Sequence, residues 1–221
     1  MISLLLPTRR RPNSLIRLYA SAMMTADNPE DIEIIAYVDY DDNSYMGIQL
    51  PRLDIIHGER LRIAEAWNKC WEGCNGEYLG LVGDDVIFKT KGWDTKVLEA
   101  FEQVEDKIAF VYGDDGSLQG KTFGTHGFIH QRWAVTVGYF VPPQFSANMV
   151  DRWLNEVAEA LGRLRYIDIS MEHLHHAFNK ATFDQTYEDA QIKFPENERL
   201  WEETKDKRLQ DILKLKERLH D

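Results

Sequence analysis

The stretch Tyr78-Leu79-Gly80-Leu81-Val82-Gly83-Asp84-Asp85-Val86-Ile87-Phe88 decides how this chain is read. Its first five residues make an apolar run of strand length, the pattern of a strand buried on both faces of a parallel sheet. A glycine and two acids then interrupt, and apolar character resumes at once. The chain comes to the surface only to present Asp84 and Asp85. A polar turn also accounts for Gly-Asp-Asp, but a turn does not need two acids between apolar segments. Carboxylates of this kind suit Mg²⁺ and Mn²⁺, whose charge offsets that of a phosphate.

Working outward, the N-terminal half repeats the theme. Residues 2–6 are a second apolar run, broken by Pro7-Thr8-Arg9-Arg10-Arg11-Pro12. Asn13 or Ser14 then opens a helix with Leu15, Leu18, Tyr19 and Ala22 on one side. Residues 32–38 read as a strand ending in Asp39-Tyr40-Asp41-Asp42-Asn43, residues 53–57 as a third strand, and residues 60–73 as a helix stopped by Gly73. Strands alternating with helices predict an α/β fold, a single domain with a mostly parallel central sheet flanked by helices. In such sheets ligands bind beyond the carboxyl ends of the strands. The Thr8–Arg11, Asp39–Asp42 and Asp84-Asp85 clusters all fall there.

The second half is less regular. Residues 92–104 read as a helix, 109–112 as a strand, and 116–127, rich in glycine and polar residues, as a mobile loop. A helix is expected over 146–161, and a strand over 165–176 that places His173 and His175 on one face. Two histidines so placed can reach one metal. Asp151, in the first turn of the preceding helix, is either a helix-stabilising acid or a catalytic base. Residues 195–221 form a charged helical extension whose stripe of Leu209, Ile212, Leu215 and Leu219 either packs back on the domain or makes a homodimer contact. The domain proper then covers 1–194, in two halves, 1–115 and 116–194.

Bulk properties narrow the classes. The chain has 221 residues and a net charge of −11, which disfavours tight binding to bare nucleic-acid backbone. The dense Arg9-Arg10-Arg11 run is a local exception. No apolar run approaches the roughly 20 residues of a membrane span, and the expected location is cytoplasmic. Cys70 and Cys74, four apart, share one helix face and are expected to pack in the core rather than bind zinc. A second Gly-Asp-Asp, at 113–115 after Tyr112, matches the metal hairpin of template-dependent RNA polymerases, but the chain is too short and too acidic for one. That copy is expected to be a polar turn opening the loop.

Taken in order, these motifs resemble the family-2-type glycosyltransferases of the GT-A fold, most nearly the compact phage or bacterial type. Ile2-Ser3-Leu4-Leu5-Leu6-Pro7-Thr8-Arg9 resembles the family's opening strand and nucleotide loop. Ala64-Glu65-Ala66-Trp67-Asn68 and Gly76-Glu77-Tyr78-Leu79 resemble the helix and strand that lead to the metal motif. Gly83-Asp84-Asp85 stands where the family has Asp-x-Asp, with the first acid of that motif missing. Asp151-Arg152-Trp153 resembles the catalytic-base segment, and Glu172-His173-Leu174-His175-His176, with Lys180 and Asp184, the C-terminal metal-binding histidine region. The resemblance covers roughly residues 1–190. It implies a metal-dependent inverting transferase, using Mn²⁺ or Mg²⁺ and a nucleotide-sugar donor, foremost a UDP-sugar. Asp151 would be the base, and Asp85, His173 and His175 the metal ligands, with His176 as the alternative histidine; 1–115 would be the nucleotide-binding half and 116–194 the acceptor and metal-completing half. Pro7, Thr8, Arg9, Arg11, Asp39, Arg62, Asn68, Gly83 and Asp84 would bind the nucleotide, with Lys121 as a further cation. The acceptor hydroxyl would lie on a hydroxymethylated DNA base or on a glycan. The alternatives are a nucleotidyltransferase releasing pyrophosphate and a nucleotide-sugar-binding protein without catalysis.

Overall fold

A computed structural model of the protein describes residues 1–116 and 120–219. Four strands alternate with helices in the first half: β1 (Ile2–Pro7), α1 (Pro12–Thr25), β2 (Ile32–Asp39), β3 (Leu53–Gly58), α2 (Ile63–Glu72) and β4 (Tyr78–Leu81). A short β5 (Val86–Phe88) and α3 (Trp93–Glu102) follow. The second half contributes β6 (Phe110–Asp114), β7 (Gly127–His130), α4 (Gln131–Val137), α5 (Val150–Ala160), β8 (Leu164–His173), α6 (Gln185–Glu203) and α7 (Lys205–Lys216). The strands form one sheet in the order β3-β2-β1-β4-β7-β6-β8-β5. Strands β1 to β4 run parallel, and β6 and β8 continue in that direction. Only β7 and β5 are antiparallel to their neighbours.

The sheet is parallel because its strands can be buried on both sides. β1 and β2 are fully buried along nearly their whole length. One face carries Leu15 and Leu18 of α1 and Trp93, Val97 and Phe101 of α3; the other carries Trp67 of α2, Trp133 of α4 and Trp153, Leu154 and Val157 of α5. Each such side chain withdrawn from water stabilises the fold by roughly 1.5–3 kcal/mol. That anchoring pins the carboxyl ends of the strands. The one acid inside a buried strand, Glu33, is satisfied by Ser3 Oγ at 2.6 Å and by the backbone N–H groups of Asn75 (2.6 Å) and Gly76 (3.2 Å).

Several expected boundaries move. The helix expected over 146–161 begins only at Val150, after Met149 takes a left-handed conformation (φ 79°). The strand expected to reach 176 ends at His173. Residues 176–178 then form a 3₁₀ turn capped by His175, so the two histidines do not share a strand face. Of the expected loop over 116–127, residues 117–119 lie outside the described residues; Gly120–Thr122 is a 3₁₀ turn. The C-terminal region is two helices, and α6 runs straight through the 194/195 position with Pro195 inside it, held by buried Tyr187, Asn197 and Trp201. Leu215 is buried in the core, and Ile212 and Leu219 pack against it, while Leu209 is half exposed. The extension thus packs back on the domain. It is fixed there by Arg208, whose guanidinium stacks on Trp201 at 3.7 Å, and by Asp211, which accepts from Trp153 Nε1 at 3.1 Å. Cys70 is buried and Cys74 half-buried, as packing residues. Among the described residues no helix is long and apolar enough to cross a membrane.

Candidate active site

Strand pairing assembles the floor of the site. Leu81 pairs with Gly127, which sets His126, one residue before β7, beside the end of β4. Val86 pairs with His173, which brings the last residue of β8 next to Asp85. One carboxylate oxygen of Asp85 and one ring nitrogen each of His126 and His173 lie within 4.8 Å of one another. His173 Nε2 is 3.4 Å from Asp85 Oδ2. Burial would raise the Asp85 carboxyl, but the hydrogen bond and charge of His173, with His126 and Arg11 nearby, hold it well below the usual carboxylate range. Burial, reinforced by His173, lowers the His126 imidazole to about 4, so it is neutral at pH 7. Both its ring nitrogens are buried without a hydrogen-bond partner. An ionised carboxylate beside a neutral, unpartnered imidazole and a second imidazole is a donor set that fits Mn²⁺.

Cations stand beside this floor. Arg11 reaches Asp84 at 3.4 Å and Asp85 at 3.8 Å, and binds Asp184 through two hydrogen bonds of 2.7 and 2.6 Å. Arg9 pairs with Asp39 and with Asp41, the latter at 2.6 and 2.8 Å. Asp84 turns inward, where Thr8 Oγ1 donates to it at 2.6 Å; Thr8 in turn meets Tyr45 Oη at 2.6 Å. Burial and the neighbouring Asp85 push the Asp84 carboxyl up to about 6. The two acids therefore divide: Asp84 fixes the loop after β1, and Asp85 faces the histidines.

Thr8, Arg9, Arg11, Asp39, Asp84, Asp85, His126 and His173 line a cavity of about 320 Å³ that also takes in Pro7, Gly83, His175 and Asp151 from the first turn of α5. Burial pushes the Asp151 carboxyl up to about 6. Other expected residues are engaged elsewhere. Arg62 is exposed at the start of α2, where its backbone N–H donates to Glu65, and it does not line the cavity. Asn68 ties α2 to the loop that follows α4, donating to Val141 O (2.8 Å) and accepting from Phe140 N (2.8 Å); it is a structural brace. His175 lines the cavity, but its Nδ1 accepts from Ala177 N as a cap, and His126 takes its expected place in the cluster. Lys121 stacks over Tyr166 at 4.9 Å, away from the cavity lining. Nothing local in the sequence marks His126, because its loop has no periodicity. The only hint is the short apolar pair Phe128-Ile129 just after it.

The fold has counterparts among solved structures. The mannosyltransferase PcManGT from Pyrobaculum calidifontis, solved with GDP-Man and Mn²⁺, superposes with a TM-score of 0.58 at 12% identity, over 80% of this chain and 59% of that one. TarS 1–349 of S. aureus gives a TM-score of 0.58 at 12% identity, over 77% of this chain and 60% of that one. The same protein with UDP-GlcNAc gives 0.58 at 12% identity, over 86% and 64%. The chain thus spans less than two thirds of each of these neighbours, and the likeness is one of fold. No curated protein sequence matches it. The sequence model for glycosyl transferase family 2, however, matches residues 3–128, from β1 through the loop that carries His126 and into β7. With more than half its length accounted for in this way, the chain belongs to glycosyl transferase family 2.

Proposed function

We propose that this protein is a metal-dependent, inverting glycosyltransferase that moves a sugar from a nucleoside-diphosphate donor to an acceptor hydroxyl. One observation carries the reading: the Asp85–His126–His173 cluster, with its unpartnered buried imidazole, shares a cavity with the Asp151 carboxyl. Asp85, His126 and His173 would hold Mn²⁺ or Mg²⁺. Such an ion, when bound, supplies positive charge against the diphosphate leaving group. The solved neighbours, with GDP-Man and Mn²⁺ or with UDP-GlcNAc, support a nucleotide-sugar donor.

The chain's own residues do the rest. Arg11, whose planar guanidinium matches phosphate oxygens, faces the diphosphate. Asp39 and Arg9, at the ends of β2 and β1, border the nucleoside end of the cavity. Asp151 accepts the proton of the acceptor hydroxyl as its oxygen bonds to the anomeric carbon, and the nucleoside diphosphate leaves from the opposite face with the bonding pair. A single displacement inverts the anomeric centre. The carboxyl at about 6 is ionised at neutral pH yet basic enough to take that proton. With a net charge of −11, a glycan hydroxyl suits the protein better as acceptor than a base in polyanionic DNA.

The test is a screen of nucleotide-sugars with Mn²⁺ for donor hydrolysis, followed by acceptor screening with the active donor. Release of a nucleoside diphosphate, lost in Asp85→Ala, is the expected result. Release of pyrophosphate from a nucleoside triphosphate instead would replace this reading with nucleotidyl transfer.

A further inference from the structure

Helix α6 lies beyond the family match, and it forms part of the cavity wall. Thr186, Asp189, Ala190 and Lys193, at i, i+3, i+4 and i+7, put one face of it on the cavity. Its start is tied to the site at three points. The Asp184 carboxylate takes two hydrogen bonds from Arg11, at 2.7 and 2.6 Å, in the two-pronged geometry that guanidinium also offers a phosphate. The Tyr187 ring covers the Arg11 guanidinium at 4.6 Å, and its hydroxyl donates to Asp85 Oδ2 at 3.1 Å. Asp189 pairs with Arg60 at 2.9 Å. The first turns of α6 thus engage the cation and the metal carboxylate that a diphosphate and its metal need.

Resting on the donor-site reading above, we propose that Asp184 is an internal competitor for the donor's diphosphate. It neutralises Arg11 while the site is free of nucleotide, and the diphosphate displaces it, releasing the start of α6. Arg11 is mostly shielded from solvent, whereas the Asp184 side chain is 40% exposed. The carboxylate therefore has water to move into and the guanidinium does not. A competitor of this kind lowers apparent affinity by the fraction of molecules in which the cation is free.

Asp184 also caps α6, accepting from Thr186 N at 3.1 Å and Tyr187 N at 3.3 Å. The discriminating variants must keep that cap. Asp184→Asn preserves it and removes the charge; Asp184→Ser preserves it and is too short to reach Arg11. Calorimetry of UDP and GDP with Mn²⁺ against the wild type and both variants is the experiment. Both variants are expected to bind the preferred nucleotide on the order of tenfold more tightly. In wild-type protein, nucleotide with Mn²⁺ should speed amide hydrogen exchange at residues 185–189. Unchanged affinity overturns the competitor. Weaker binding by both variants overturns it in favour of a residue that positions Arg11. If neither nucleotide binds the wild type or either variant, the donor-site reading fails and this inference with it.

Discussion

The two Gly-Asp-Asp tripeptides are identical in sequence and end up on either side of the same histidine. After β4, Gly83-Asp84-Asp85 sends the Asp85 side chain into the histidine cluster. After Tyr112, Gly113-Asp114 completes β6, and Asp115, just beyond it, is buried. The end of β8 is clamped between them: Leu174 N donates to Asp85 O at 2.8 Å, and His173 N donates to Asp115 O at 2.9 Å. Both copies offer a backbone carbonyl, and the first also turns a carboxylate toward the histidines. The second copy is therefore neither a polymerase signature nor a simple turn, but part of the frame that aims His173. A short acidic motif acquires its role from the strand that pairs beside it.

The sharpest way to break this comparison is to remove the carboxylate that the first copy contributes. Asp85→Ala should abolish Mn²⁺-dependent nucleotide binding and lower transfer on the order of a thousandfold. Calorimetry with metal present checks it, and unchanged affinity would remove Asp85 from the metal set. Asp151→Asn should leave donor binding intact and cut turnover on the order of a hundredfold or more. The base works only when ionised, and its carboxyl sits at about 6. Wild-type transfer should therefore hold above pH 6 and fall as pH drops through it. A flat profile between pH 5 and 7 would refute the base role.

These residues were unequally legible. Asp85, Arg11 and Thr8 follow long buried strands, and an α/β sheet delivers such positions to one edge, so the alternation of apolar runs was enough. His126 depends on a pairing between β4 and β7 whose nearest partners, Leu81 and Gly127, are 46 residues apart, with β5, α3, β6 and a loop without pattern between them. No local signal marks a four-residue strand beginning with glycine. His175 lies past the end of β8, where strand alternation no longer applies: it lines the cavity, but its Nδ1 is engaged in capping the 3₁₀ turn. Arg62 and Asn68 had the right chemistry, but they lie on helix α2, whose start faces solvent and whose polar side chains are consumed by caps and loop bracing. In α6, Pro195 suggested a break, yet buried residues on both sides of it carry the helix through.

The glycines sharpen the contrast at smaller energies. A Cβ on Gly113 would lie 2.3 Å from Ile169 Cγ1 and 2.4 Å from the Ile169 carbonyl oxygen, against the backbone of β8 where its register with β6 shifts. Backbone cannot yield cheaply. Gly113→Ala should destabilise the fold by about 2–3 kcal/mol, a fall in Tm of roughly 4–12 °C. A Cβ on Gly83 would meet Asp85 Oδ1 at 2.6 Å, a side-chain atom that can move. Gly83→Ala should therefore cost metal affinity with a smaller change in Tm. Thermal melts with and without Mn²⁺ separate the two. Equal Tm losses would mean that both copies serve the frame alike.

The smallest effect concerns the buried charge that the second copy leaves near the base. Asp115 raises both the Asp151 carboxyl and the His126 imidazole, though in each case burial is the larger influence. Asp115→Asn keeps the backbone carbonyl that receives His173 N and removes this charge. A less negative surrounding makes ionised Asp151 easier to form, so its carboxyl should move down. The acid limb of the transfer profile should then shift to lower pH by a fraction of a unit, with plateau turnover changed no more than a few-fold. A shift to higher pH would contradict the sign of the interaction. Loss of metal binding on the scale of Asp85→Ala would show that the second Gly-Asp-Asp, like the first, contributes its side chain to the metal.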